Sequence, residues 1–130
     1  MKLDNKGQSL VMFILIMPIF ILILALVVDI GNLVNLKLDL NNVNKISISY
    51  GIDNIDKINA ETLEKLIEAN DSKIKIEKIT IDKENNYIKI TISKYSDSIL
   101  GKIIQINGYN ITSSYEAQIK DEEKEIKKVS

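Results

Sequence analysis

Cysteine, histidine, tryptophan and arginine are all missing from this 130-residue chain, and proline occurs once. Without cysteine there are no disulfides, no thiol chemistry, no Cys-ligated metal and no lipid attachment through sulfur. Without histidine the chain loses the commonest general base and the commonest metal ligand. Nucleophilic triads built on such a base are excluded with it. The lack of arginine removes the guanidinium fork that grips phosphate or carboxylate with two parallel bonds. An excess of one charge is also missing. Residues 29–130 carry 15 Lys against 17 acids, interleaved along the chain, so no basic stripe exists for nucleic acid.

What the chain does have is an unbroken run of uncharged, almost wholly apolar residues from Leu10 to Val28. At about 1.5 Å per residue, a helix over this run reaches roughly 28 Å, close to the ~30 Å hydrocarbon core of a bilayer. A cleaved secretory peptide would have a shorter apolar stretch and a small-x-small site, whereas only Ala25 near the end of this run is small. A buried core helix is disfavoured, because so small a domain could not surround the run. The run is therefore expected to be a stable single-pass anchor in the lipid bilayer. Pro18 removes one helical hydrogen bond and predicts a kink that membrane helices tolerate, or a hinge. Lys2, Lys6 and the α-amine flank one end and Asp29 the other, with Lys37 and Lys45 farther out. The positive-inside bias places residues 1–9 in the cytoplasm and the domain outside. Asp29 marks the depth of the span, or contacts a neighbouring anchor helix.

Helical patterning continues past Asp29. Leu33, Leu36, Leu40, Val43, Ser47 and Tyr50 recur at spacings of three and four, predicting an amphipathic extension over 29–51. Gly31 is a mild interruption and Gly51 a C-terminal stop. Ile46, Ile48 and Tyr50 also alternate, so an extended last turn stays open. The stripe packs on the domain's own sheet or on partner helices. Asn59 is placed to cap a short helix buried along Leu63, Leu66 and Ile67, which ends at Asn70-Asp71-Ser72.

Strands are expected next. Ile74 and Ile76 alternate, as do Ile79 and Ile81, but the pairs are out of phase, and a bulge near Glu77-Lys78 reconciles them. With Ile88, Ile90 and Ile92 beyond a turn at Asp82 to Asn86, they read as a β-hairpin. Ile99, Leu100, Ile103 and Ile104 fit a short helix that Gly101 weakens. Ile111, Tyr115, Ala117 and Ile119 form the inner face of a last strand within a domain spanning 52–120. Residues 121–130 read as a charged, solvated tail. The fold class is α+β: a long amino-terminal helix, transmembrane and then amphipathic, packed on a small antiparallel sheet.

No catalytic constellation or cofactor site is evident. Asp53 and Asp56 lack the spacing and terminal Glu of a calcium loop, and Gly51, Gly101 and Gly108 do not make a phosphate-cradling loop. Glu122-Glu123 lies in the charged tail. Asn70-Asp71-Ser72 and Asn110-Ile111-Thr112 match the glycosylation triplet, which an Asn-rich chain generates by chance.

One pattern is more specific. Lys6-Gly7-Gln8-Ser9-Leu10-Val11-Met12-Phe13, then Pro18, then Val28-Asp29-Ile30-Gly31 resembles the amino-terminal segment of TadE-like proteins. These are pseudopilin-like minor components of tight-adherence (Flp-type) pilus systems, and TadG proteins share the anchor. The resemblance covers roughly residues 6–45. It implies a non-enzymatic bacterial cell-surface role, partnership with other pilus or pseudopilin subunits through the anchor helix, and processing by a prepilin-type peptidase between Gly7 and Gln8. Met12 stands where processed members usually carry Glu, whose carboxylate can pair with a neighbour's new amino terminus. An uncleaved TadG-like anchor, or an adaptor unrelated to filaments, is the alternative.

Overall fold

The computed structural model describes residues 5–130. Four of the nine residues assigned to a cytoplasmic tail, Met1 to Asp4, lie outside the described part. The chain divides into two compact units, one formed by residues 5–32 with 97–108, the other by 33–96 with 109–130.

A single helix, α1 (Asn5–Asp53), runs through Pro18, Gly31 and Gly51 without a break. Its apolar stretch is long enough to cross a membrane. Of residues 8–30, only Ala25 and Asp29 are buried; the other side chains are exposed. So apolar an exposed surface fits a single-pass membrane anchor. Gly31 does not interrupt the helix, and a Cβ there would meet nothing within 4 Å. Gly51 is not the stop either. A Cβ at that position would sit 3.0 Å from Ile88 Cδ1 and 3.3 Å from a Leu63 methyl, so the glycine is there for close packing.

In the second unit the later part of α1 lies on the core. Leu40, Ile48 and Ile52 are buried together with Ile55, Ile58, Leu63, Ile67, Ile74, Ile88, Ile90, Ile92 and Ala117. Leu40 and Ser47 of the expected stripe are buried, but Tyr50 is exposed and Ile48 takes the inner position within a helical, not extended, last turn. Asn44 is also fully buried, and its amide donates to the Ile90 carbonyl at 3.0 Å and the Ser113 carbonyl at 3.1 Å. These bonds tie α1 to two strands and satisfy the buried NH2 of Asn44, while its buried Oδ1 accepts no bond among the described residues.

Helix α2 (Ala60–Asn70) is capped by Asn59, whose Oδ1 accepts the Thr62 N–H at 2.8 Å. Leu63 and Ile67 are its buried residues. A four-stranded antiparallel sheet follows in the order β1 (Lys75–Asp82), β2 (Tyr87–Asp97), β3 (Gly108–Lys120), β4 (Glu123–Lys128). The β1–β2 register shifts between Ile76 and Lys78, at the bulge the isoleucine phasing demands. Between β2 and β3 lies the short helix α3 (Ile99–Ile104).

The charged tail forms a strand and does not fray. β4 pairs with β3 from Lys120↔Glu123 to Tyr115↔Lys128. The connection is the two residues Asp121 and Glu122, both at positive φ (51° and 67°), as in the mirror-image turn that suits a tight hairpin. Just beyond this turn, Lys124 bridges to Asp53 at 3.1 Å and to Ser49 Oγ at 3.1 Å.

Candidate functional site

The residues singled out in the sequence lie along α1 rather than in a pocket. Gly7 and Gln8 fall within the first turns of the helix, where Ser9 Oγ donates to the Asn5 carbonyl at 2.9 Å. Met12 is exposed at 57% and Pro18 lies inside the apolar stretch. These four residues are strung along one helix and do not converge on a site.

Asp29 is different. It is 4% exposed at the end of the apolar stretch, and its carboxylate takes three donors from the 97–108 segment of the same unit. Ser98 Oγ donates to Oδ2 at 2.5 Å, the Ile99 N–H to Oδ1 at 2.8 Å, and the Leu100 N–H to Oδ2 at 2.9 Å. The two amides belong to the first turn of α3, whose N–H groups have no partner within the helix. The Asp29 carboxylate is thus engaged within its own chain, where it holds α3. The Ser98 hydroxyl pulls the Asp29 carboxyl below its ordinary value, burial opposes this, and the two N–H groups reinforce it.

Ser98 serves both partners, since its Oγ also accepts the Gly101 N–H at 2.7 Å as the cap of α3. Gln105, at φ 62°, closes the helix, and the Ile106 N–H returns to the Gly101 carbonyl at 2.7 Å. Gly101 does not weaken this helix but permits it. A Cβ there would lie 2.5 Å from the Ile106 carbonyl oxygen and 2.9 Å from Ser98 Cβ. The signal available in sequence was Asp29 together with a Ser-x-x-Gly cap. Their separation along the chain hid the connection.

The second unit carries an open apolar groove of about 390 Å³ lined by Leu33, Val34, Leu38, Tyr109, Ile111 and the stems of Lys37 and Lys128. Burial pushes the Lys37 ammonium down, with Lys128 adding repulsion, while Lys37 donates to the Thr112 carbonyl. On the sheet, Tyr87 donates to Glu116 at 2.9 Å and Thr91 meets Ser114 at 2.9 Å. Among the described residues no group of three or more acids is placed to hold a metal ion.

Comparison with known proteins adds one finding. Residues 7–43 match the family model described as TadE-like protein. No curated protein and no solved structure matches the chain. The matched segment takes in Gly7, Gln8, Pro18, Asp29 and Gly31, the residues that carry the resemblance in sequence. Over this amino-terminal segment the chain is similar to TadE-like proteins.

Proposed function

We propose that the protein is a non-enzymatic, single-pass membrane component of a Tad-type pilus assembly or secretion system, of the minor pseudopilin-like kind. Its short tail lies in the cytoplasm and its sheet-bearing unit outside the membrane. The observation that carries this reading is the coincidence of the TadE-like match with a helix whose apolar side chains are exposed. A lipid bilayer satisfies that surface. Within the bilayer, close packing between apolar helices is the means of lateral association with other pilus subunits.

The Gly7–Gln8 bond is the junction for a prepilin-type peptidase. Met12 favours a second reading, in which the anchor stays uncleaved as in TadG-like proteins. A methionine cannot pair with the amino terminus of a neighbouring subunit.

Co-expression with a prepilin-type peptidase, followed by intact-mass measurement of the membrane-extracted chain, separates the two. Loss of Met1 to Gly7 supports the pseudopilin reading, and Met12→Glu is expected to increase the processed fraction. A chain that keeps its amino terminus in both variants supports the uncleaved anchor. Recovery of the chain away from membranes overturns both.

A further inference from the structure

Within the first unit, the β2–β3 connection presents an exposed apolar surface. From Ile99 to Ile106 the sequence is Ile-Leu-Gly-Lys-Ile-Ile-Gln-Ile, and Ile99, Ile103, Ile104 and Ile106 are 46–52% exposed. We propose that α3 and the residue pair after it form a second membrane contact. This element lies in the headgroup and upper acyl layer at the end of the span, with lipid as its occupant.

Three observations within the first unit support lipid. The first is continuity with the anchor. The hydrogen bonds from Ser98, Ile99 and Leu100 to Asp29 fix the start of α3 one residue past the apolar run. Its isoleucines therefore sit at the depth where the span leaves the hydrocarbon.

The second is how the polar groups there are satisfied. A carboxylate and the free N–H groups of a first helical turn are each costly near lipid. Here they satisfy one another, leaving apolar side chains to face outward. Ala25, about 6 Å deeper on the face of α1 that bears Asp29, is also buried, so the covered face extends into the span.

The third is the charge pattern. Lys102 is the one charged side chain between Ile99 and Ile106, and it is exposed. A lysine stem lying along apolar surface with its ammonium at phosphate level is characteristic of interfacial helices. A second copy of the chain could also cover isoleucines, but these adjoin an apolar run that is itself exposed along its length, and lipid covers both together.

This inference rests on the anchor reading, and the experiment distinguishes failure of the two. The chain has no cysteine, so Ile104→Cys, Ile106→Cys, Met17→Cys and Glu84→Cys each create a unique labelling site in the full-length protein. Each variant is labelled with an environment-sensitive fluorophore in phosphatidylcholine–phosphatidylglycerol vesicles, and quenching by lipids brominated at shallow or deep acyl positions is read out. Position 17 is expected to be quenched most by deep bromines and position 84 by neither. Positions 104 and 106 should be quenched by shallow bromines and show blue-shifted emission, with the quenching lost on transfer into lipid-free micelles of a non-quenching detergent. Quenching at 17 without quenching at 104 and 106 overturns the second contact while leaving the anchor intact. No quenching at 17 overturns the anchor and this inference with it. Disulfide-linked dimers of the unlabelled Ile104→Cys variant, without lipid quenching of the labelled one, would assign the surface to a second copy and also overturn the proposal.

Discussion

Asp29 accepts the Ser98 hydroxyl at 2.5 Å across sixty-nine positions of sequence, while the same hydroxyl oxygen accepts the Gly101 N–H. One serine thus caps a helix and fastens it to α1. The arrangement needs Asp29 ionised, because a protonated carboxyl would surrender acceptor capacity to its own hydrogen.

That requirement sets a pH dependence. The Asp29 carboxyl is held below its ordinary value of 3.8 by the Ser98 hydroxyl first, so its contribution is present above that value and lost as pH falls through the lowered folded one. Amide shifts of Ile99 and Leu100 in detergent micelles should move together below pH 3.8, and Asp29→Asn should abolish that movement. A common titration near neutral pH would contradict the assignment.

Gly101 and Gly31 are expected to respond oppositely to alanine. Gly101→Ala drives a methyl into the Ile106 carbonyl and should destabilise α3 by about 1–3 kcal/mol, the usual cost of overpacking. Gly31→Ala enters open space on a helix and should stabilise by about 0.5–1 kcal/mol through helix propensity. Amide exchange within α3 and within α1 reads each effect locally.

The buried Asn44 amide makes a sharper prediction than any apolar position around it. Asn44→Ala leaves the Ile90 and Ser113 carbonyls without that donor and should cost about 1–3 kcal/mol in denaturant unfolding of the full chain in micelles. Ile48→Ala, which opens a cavity in the same layer, should cost about 2–5 kcal/mol. Tyr50→Ala, on the exposed side, should stay within about 0.5 kcal/mol.

These contrasts mark what was legible in the sequence. The long apolar helix could be read because a run of that length and composition favours one element. The β1 bulge could be read because Ile76 and Ile79 break a period of two. Asn59 could be read because a cap acts over three residues. Contacts between distant segments could not. Asn44 interrupts an apolar stripe and gains its place from acceptors on β2 and β3. Gly51 looks like a helix stop until Ile88 and Leu63 are packed against it. β4 is masked by its lysines and glutamates, since a largely solvated edge strand has little apolar alternation to display, and Asp121-Glu122 lacks the glycine that usually announces a tight hairpin. Asp29 was visible as an acid at a boundary, but its partners lie at the start of α3.

The most direct test of the central claim is alkaline carbonate extraction of native membranes containing the full-length chain. An integral anchor predicts that the protein stays in the membrane pellet and is released only by detergent. Release into the aqueous supernatant at high pH, in unaggregated form, would show that the exposed apolar face of α1 is covered by protein and not by lipid, and would contradict the account.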